Sequence, residues 1–357
     1  MKTGSIHFPP SGGGGFIMVM FTNDYSEGCH PKILELLLAT NFEQADGYEN
    51  DQFCERARAL IRDACAAPDA DVHFFTGGTL TNLTVISAAL RPHQAVLSTE
   101  LGHIATNETG AIEATGHRVV TFASEDGKMK PEFVIQAHNQ FRSEHQTQPK
   151  MVYVSQSTEL GTVYSQGELE ALSAECKKYG YYLFLDGARL GYALATPSND
   201  LTLPDIARLC DVFYIGGNKV GALVGEAAVI TNAELKQDFR YVMKQHGALT
   251  AKGRLLGIQF VGLFEEGLYL NIGKNAIDTA MMIRKACAEK GYGFLVDSPT
   301  NLQFPILPHH VIAKLREKYV LGGLTKVDDD HSAVRVVTSW ATREEDVAAF
   351  CADILAL

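Results

Sequence analysis

The sequence lacks the usual features of disulfide-rich, zinc-binding and membrane-spanning proteins. Its seven cysteines are an odd number, lie far apart and form no C-x-x-C pair. We therefore expect neither a disulfide framework nor a metal site, and we expect a reducing, cytoplasmic compartment. No stretch approaches the roughly eighteen uninterrupted apolar residues that a transmembrane helix needs. The net charge of -11 argues against a general binder of nucleic acid or of anionic membranes.

Length and composition predict a globular protein with more than one domain. The chain has 357 residues, of which 46% are hydrophobic and 20% are charged, as in ordinary globular domains. A run of glycines at 12–15 indicates that residues 1–20 form a flexible N-terminal extension. We predict a large domain over 21–260 and a small C-terminal domain over 261–357, because the order of elements becomes α+β towards the end of the chain.

The stretch 182–219 predicts a β-α-β unit with a pocket at one end. An apolar strand ends in Asp186, and the continuous apolar run 212–215 is typical of a strand buried on both faces of a parallel sheet. Residues 204–209 between them suit a short crossover helix. Such a unit brings Asp186 and Lys219 to the carboxyl edge of the sheet, where open α/β sheets bind ligands.

Strands and helices alternate along most of the chain, which predicts an α/β fold with a mostly parallel central sheet between helices. Further strands are predicted at 72–75, 95–98, 118–122, 151–155 and 227–231. In the C-terminal half we predict helices at 233–246 and 273–290, and strands at 293–297, 302–306 and 334–340.

A glycine-rich turn follows the predicted strand at 72–75. Gly77, Gly78 and Thr79 stand where this strand gives way to a helix. Glycines let a ligand approach the backbone, and a helix N-terminus offers free N–H groups with a partial positive charge, so the turn suits a phosphate. A tight turn capped by Thr79 explains the same pattern without a ligand. The pattern alone leaves both interpretations open.

Lys219 and Asp186 are the main candidates for chemistry. Lys219 follows a buried strand and lies among small residues in the sequence GGNKVGAL. Burial disfavours the ammonium form, so such a lysine can act as a nucleophile that forms a Schiff base; alternatively, it extends into solvent. Asp186 can form an ion pair with Arg189. It can also keep a pyridinium nitrogen protonated while Arg189 binds a substrate carboxylate.

Two further residues have both a functional and a structural interpretation. His103 can stack on a cofactor ring, with Gly102 permitting the close approach, or it can be an ordinary hydrogen-bonded histidine. Arg335 lies in an apolar strand, where an unpaired charge is costly. It can bind a carboxylate, or it can point into water from a strand edge.

Taken together, these segments resemble the threonine aldolase branch of the β-eliminating lyase family, pyridoxal-phosphate enzymes of the aspartate aminotransferase fold. The matching segments cover nearly the whole chain after residue 20: FTNDYSEGCHP, TGGTLTN, STELGHI, SQSTELGTVYS, FLDGARL, GGNKVGAL, KQHGALTAKGR and VRVVTSW. The chain is similar to the low-specificity type. The resemblance implies a fold type I α/β enzyme with a large cofactor-binding domain and a smaller α+β domain.

The resemblance implies a cofactor site built from the candidate residues. Lys219 would form the internal aldimine with pyridoxal 5'-phosphate, Asp186 would contact the pyridine nitrogen, and His103 would stack on the ring. The residues expected to hold the phosphate are Gly77, Gly78 and Thr79.

The resemblance also implies a substrate site and an oligomer. Arg189 and Arg335 would bind the amino-acid carboxylate. Family members form homodimers or homotetramers with active sites at subunit interfaces, so Tyr48, Lys252 or Arg254 would reach a neighbouring site.

The implied reaction is the retro-aldol cleavage of threonine or allo-threonine to glycine and acetaldehyde, with His103 or an ordered water as the base on the β-hydroxyl. A β-elimination or transamination with the same cofactor, and a catalytically silent homologue, are the alternatives. The chain departs from the family pattern at three positions: Asn23 replaces a frequent Ser, Glu159 a frequent His and Asn218 a frequent Thr.

Overall fold

The computed structural model describes residues 18–357. The strands are β1 (Val19–Phe21), β2 (Asp71–Phe75), β3 (Gln94–Thr99), β4 (Arg118–Phe122), β5 (Gln148–Ser155), β6 (Tyr182–Asp186), β7 (Val212–Gly216), β8 (Glu226–Ile230), β9 (Leu302–Gln303), β10 (Ile306–Pro308), β11 (Tyr319–Leu321), β12 (Leu324–Lys326), β13 (His331–Val334) and β14 (Val336–Val337).

Helices flank these strands along the chain. The α-helices are α1 (Pro31–Thr40), α2 (Gln52–Ala64), α3 (Gly78–Ala89), α4 (His103–Thr106), α5 (Ala111–Ala114), α6 (Pro131–Gln140), α7 (Gln166–Tyr179), α8 (Leu190–Leu194), α9 (Leu203–Leu209), α10 (Phe239–Gln245), α11 (Arg254–Phe264), α12 (Leu268–Glu289), α13 (His309–Leu315) and α14 (Glu344–Ala356). A 3-10 helix covers Ala233–Leu235. Within residues 18–357, no helix combines the length and apolar character needed to cross a membrane.

A seven-stranded sheet forms the centre of the molecule, in the order β2-β8-β7-β6-β5-β3-β4. Only β8 runs antiparallel to its neighbours, which confirms the predicted α/β fold with a mostly parallel sheet. All five residues of β7 are buried, as expected for its continuous apolar run. The predicted crossover helix between β6 and β7 is α9, which Thr202 and Asp205 begin with a capping box.

Alternating side chains of the sheet pack into two hydrophobic clusters on its opposite faces. Val152 and Leu185 belong to one cluster, whereas Tyr153 and Phe184 belong to the other, because successive strand residues point to opposite faces. Helices α2, α7, α9 and α11 contribute to the first cluster, and α3 and α10 contribute to the second. Helices therefore cover both faces of the sheet.

A third hydrophobic cluster lies beneath the C-terminal elements. It joins residues from β1, α12, α13 and α14, among them Phe21, Ile283, Val311 and Phe350. The predicted boundary after residue 260 falls within α11, and α12 contributes to both the first and the third cluster. The division into two domains therefore stays a prediction.

The N-terminal extension was predicted for residues 1–20. Its residues 1–17 lie outside the described part of the chain. Val19 and Met20 lie in β1, which pairs in parallel with β11, so these two residues belong to the folded structure.

Four predicted elements differ from the structure. The strand predicted at 302–306 is divided into β9 and β10, which belong to different sheets. The helix predicted at 233–246 is divided into the 3-10 helix and α10, because Asp238 has a left-handed φ of 57°. The strand predicted at 293–297 reduces to a single bridge at Phe294. The strand predicted at 334–340 is interrupted at Arg335, whose backbone bonds with Gly322 and Gly323 separate β13 from β14.

Candidate active site

Three parallel strands of the central sheet end at a cavity of about 400 Å³. β5 ends at Ser155, β6 ends at Asp186, and the loop after β7 carries Lys219. Both Asp186 and Lys219 line this cavity, at the sheet edge where the sequence places them. The cavity also brings together four other predicted site residues, Gly78, Thr79, His103 and Arg189. Gly77 and Arg335 lie outside its lining.

Four hydrogen bonds fix the Asp186 carboxylate. Its Oδ1 accepts from the Ala188 backbone N–H at 3.0 Å and from the Tyr214 hydroxyl at 2.5 Å. Its Oδ2 accepts from the Asn82 amide at 3.2 Å and from the Tyr153 hydroxyl. Burial and the charge of Asp186 raise the pKa of both tyrosines, so they remain donors. These donors offset the cost of burying an anionic carboxylate.

Two glycines bring the loops after β6 and β7 close together. The Gly216 N–H donates to the Gly187 carbonyl at 3.0 Å. A Cβ atom on Gly187 would collide with the carbonyl oxygen of Tyr214, and one on Gly216 would lie 2.5 Å from that of Ala188. Glycine at both positions is therefore what lets the Asp186 loop and the Lys219 loop share one cavity.

Lys219 lies half-buried in the loop after β7. Burial lowers the pKa of its ammonium group, and the charge of Arg189 lowers it further, whereas Asp24 and Asp186 oppose the shift. A lower pKa increases the fraction of neutral amine, which is the nucleophilic form. The Lys219 backbone is also fixed, because its carbonyl accepts from the Tyr192 hydroxyl.

Glu226 holds the lysine loop and was not identified from the sequence. Its two oxygens accept from the Gly217 backbone N–H at 2.9 Å and from the Asn218 amide at 2.8 Å. Burial raises the pKa of Glu226 to about 8. The sequence signal for Glu226 was an acidic residue at the start of the apolar strand β8. All residues of β8 are buried, and a buried acidic residue usually has a specific partner.

The glycine-rich turn forms an open helix N-terminus. Gly77 is the N-cap of α3, and no side chain caps this helix, so the interpretation that Thr79 caps a tight turn is wrong. The first intrahelical bond runs from the Thr81 N–H to the Gly77 carbonyl at 3.1 Å. The N–H groups before it face the cavity end of the helix, where an anion is favoured.

The half-buried His103 belongs to a polar network that leads to the buried Asp186. Its Nδ1 lies 2.7 Å from Oε1 of Glu108, which is not among the site residues predicted from the sequence. The Asn82 amide donates to the same oxygen at 2.7 Å and also to Asp186. The only available signal for Glu108 was its position five residues after His103.

Arg189 pairs with a carboxylate from its own chain. Its Nε and Nη2 donate to the two oxygens of Asp24 at 2.8 and 3.0 Å, and the Asn301 amide also donates to Asp24 at 3.0 Å. Burial alone would raise the pKa of Asp24, but the charges of Arg189 and Lys219 lower it below its ordinary value. The bidentate edge of Arg189, predicted to bind substrate, is therefore occupied by Asp24.

Arg335 is a half-buried cation near this ion pair. Within residues 18–357, its side chain forms no hydrogen bond and no ion pair. Burial lowers the pKa of its guanidinium and the charge of Arg189 lowers it further, whereas the charges of Asp24 and Tyr25 oppose the shift. A half-buried cation whose side chain has no hydrogen-bond or ion-pair partner among the described residues can accept an anionic ligand.

The beta-eliminating lyase family has a sequence profile that matches residues 24–338 of this chain. The match covers every residue of the cavity described above. The chain belongs to the beta-eliminating lyase family. Enzymes of this family and their fold neighbours depend on pyridoxal phosphate.

Individual relatives extend the family assignment. The solved structure of Leishmania major threonine aldolase is 48% identical, covers 94% of this chain and 98% of its own, and has a TM-score of 0.93. The low specificity L-threonine aldolase of Pseudomonas sp. is 31% identical over 344 residues, with 94% of this chain and 97% of that protein covered.

A more distant structure shows the extent of the fold likeness. An aspartate aminotransferase of Thermus thermophilus has a TM-score of 0.70 at 16% identity, over 95% of this chain and 91% of its own. This comparison concerns the fold alone, and it confirms the predicted aspartate aminotransferase fold of this family member.

The residues of the cavity fit the pyridoxal phosphate of the family. A carboxylate held by four donors and a lysine of lowered pKa lie in one cavity with an open helix N-terminus. Glycine at the start of α3 also keeps the backbone close to the Tyr214 side chain, since a Cβ atom on Gly78 would lie 3.0 Å from the Tyr214 hydroxyl. In addition, the buried Ser157 Oγ lacks a protein partner among the described residues, which leaves a hydroxyl for a ligand.

Proposed function

We propose that this protein is a pyridoxal-phosphate-dependent aldolase. It cleaves L-threonine, L-allo-threonine and related β-hydroxy-α-amino acids to glycine and an aldehyde. The observation that carries the proposal is the placement of Asp186 and Lys219 in one cavity beside an open helix N-terminus. The similarity to threonine aldolases over nearly the whole chain supports this choice of reaction.

Each end of the cofactor site has a chemically suitable residue. The fixed carboxylate of Asp186 would keep a proton on the pyridine nitrogen, and the Lys219 amine would carry the cofactor by its aldehyde carbon. Gly77, Gly78 and Thr79 would hold the phosphate through the N–H groups at the start of α3. When bound, the cofactor supplies an electron sink for the bond pair released at the substrate α-carbon.

Arg189 and Arg335 would both bind the substrate carboxylate, but Arg335 has more free N–H donors for it than Arg189. The Nε and Nη2 of Arg189 already contact Asp24, so its remaining Nη1 is the group left for substrate. Arg335 has all its donors free among residues 18–357. The structure thus favours Arg335 as the main contact, with Arg189 fixed beside it by Asp24. Together they would orient the α-carbon substituents for cleavage.

The active protein is a homo-oligomer in this proposal, as the family resemblance implies. The exposed side chain of Lys252 and the 43% exposed ring of Tyr48 are available to a second copy. Arg254 is less available, since it donates to the carbonyl oxygens of Thr40 and Glu43 in its own chain.

Product analysis tests the proposed reaction. The purified protein, loaded with pyridoxal phosphate, is given L-threonine, L-allo-threonine and L-phenylserine in parallel. We expect equimolar glycine and aldehyde, and no such products from Lys219→Ala. Ammonia with a keto acid would instead assign a β-elimination. A keto acid without ammonia, dependent on an added amino acceptor, would assign a transamination, and no product of either kind would indicate a silent homologue.

A further inference from the structure

Glu159 lines the cavity, but it is not among the residues proposed to bind the cofactor or the substrate carboxylate. It follows β5, whose last residue Ser155 is in register with Asp186 of β6. Its Oε1 accepts from the Ser155 hydroxyl at 2.7 Å and from the His103 backbone N–H at 3.0 Å. Within residues 18–357, both hydrogen bonds that the Glu159 side chain accepts from other residues end on Oε1 and none ends on Oε2, and Glu159 lines the cavity. One oxygen is therefore anchored and the other is available to a ligand.

The surroundings of Glu159 favour proton transfer. Burial raises the pKa of its carboxyl above the ordinary value of 4.5, the Ser155 hydrogen bond opposes this shift, and the charge of Asp186 adds to it. A carboxylate whose pKa moves towards the working pH is a more effective base. The other titratable groups that face it are His103, Arg189, Tyr153 and Tyr164.

His103, the base suggested by the sequence, has a different set of contacts. Its Nδ1 is bound to Glu108, which Asn82 links to Asp186. These bonds fix the imidazole and connect it, through Glu108 and Asn82, to the carboxylate expected at the pyridine nitrogen. A fixed imidazole suits stacking on the cofactor ring. The Glu159 carboxylate, in contrast, is held through Oε1 by a side-chain hydroxyl and a backbone N–H, and its Oε2 is left for substrate.

We propose that Glu159 is the general base that removes the proton from the β-hydroxyl of the substrate. This inference rests on the proposed aldolase function. The proton passes from the β-oxygen to Oε2, and the O–H electron pair becomes the second bond of the aldehyde carbonyl. The Cα–Cβ bond breaks, its electron pair remains at Cα, and a proton restores the Cα–H bond of glycine. Atoms and charge thus balance between threonine and glycine plus acetaldehyde.

Comparison of two reactions of the loaded enzyme tests this role. Threonine cleavage needs a base on the β-oxygen, whereas exchange of the glycine α-proton with D₂O needs the cofactor site but no β-oxygen base. In Glu159→Gln, we expect cleavage to fall by about 10²–10⁴-fold, while glycine exchange stays close to the wild-type rate. The acidic limb of the kcat/KM profile for threonine should also disappear. The matched control is Glu125→Gln, which alters an exposed carboxyl outside the cavity.

The apoprotein provides a readout without turnover. Difference infrared spectra of wild type minus Glu159→Gln should show a carboxyl that titrates above the ordinary glutamate range. An ordinary titration would show that the carboxyl is solvated and would overturn the inference.

The kinetic outcomes separate this inference from the proposed function. If Glu159→Gln loses cleavage by less than about tenfold, or loses cleavage and glycine exchange equally, Glu159 is not the base, although the aldolase function stands. If the wild type exchanges glycine protons but does not cleave threonine, the proposed function fails and this inference fails with it.

Discussion

Arg335 provides a prediction in which binding and stability change in opposite directions. Its guanidinium is half-buried, has no anionic partner among residues 18–357, and lies close enough to Arg189 for that charge to lower its pKa. In the substrate complex it would donate to the α-carboxylate. A hydrogen bond between charged groups contributes about 1.5–3 kcal/mol, so a bidentate contact with two such bonds corresponds to about 10²–10⁴-fold in kcat/KM.

The perturbation is Arg335→Gln, with Arg335→Lys as the conservative variant. We expect kcat/KM for threonine to fall by about 10²–10⁴-fold in the glutamine variant and by less in the lysine variant, which keeps the charge. The unliganded glutamine variant should be more stable by about 1 kcal/mol, because an unpaired cation beside another cation is removed. Arg316→Gln, at an exposed cation on the same part of the chain, is the control.

The decisive assay is a thermodynamic cycle in which two substrates are each tested with the wild type and with Arg335→Gln. L-threonine and L-threoninamide differ at the carboxylate, so a contact between Arg335 and that group appears as a coupling between substrate and substitution. We expect Arg335→Gln to impair threonine cleavage strongly and threoninamide cleavage little. Equal losses on both substrates, or no loss on threonine, would refute the assignment of Arg335 to the carboxylate.

Three further variants test other parts of the structure. Glu108→Gln keeps the shape of the side chain but removes the carboxylate beside His103, so kcat should fall about tenfold. The exposed control Glu113→Gln should leave kcat unchanged, and an equally unchanged kcat in Glu108→Gln would contradict the prediction. His73 is buried without a hydrogen-bond partner among the described residues, and burial lowers its pKa from 6.5 to about 3. The wild type should therefore lose stability as pH falls below 6.5, by about 2 kcal/mol at about pH 5 relative to His73→Phe; parallel denaturant-unfolding curves at both pH values would contradict it. Gly187→Ala should lower stability by more than about 2 kcal/mol and weaken cofactor binding, whereas Gly167→Ala, which meets open space, should not.

Local patterns were sufficient to predict much of the fold. The apolar run of β7 indicated a doubly buried strand, and the segment between Asp186 and Lys219 indicated a β-α-β unit, because both features depend on residues close in sequence. The antiparallel direction of β8 was not predicted, since a strand shows no direction in its own composition. The break at Arg335 depends on backbone bonds with Gly322 and Gly323, which local periodicity does not reveal.

Some of the site residues that the sequence missed are defined by distant partners. Asp24 became part of the site by pairing with Arg189, which is 165 positions away. Asn82 joins Glu108 to Asp186 by two hydrogen bonds, and no local motif indicates such a bridge. Residue types at strand ends therefore predicted the main chemical groups of the site. The hydrogen bonds that position these groups, and the partner that already contacts Arg189, were seen only in the structure.

Borohydride trapping tests the central claim about Asp186 and Lys219 most directly. The holoprotein is reduced, digested and analysed by mass spectrometry, so that each lysine with a pyridoxyl-phosphate label is identified. We predict one label, on Lys219, and a weaker cofactor affinity with the same label position in Asp186→Asn. A label on another lysine, or an unlabelled Lys219 in a protein that cleaves threonine, would contradict the claim.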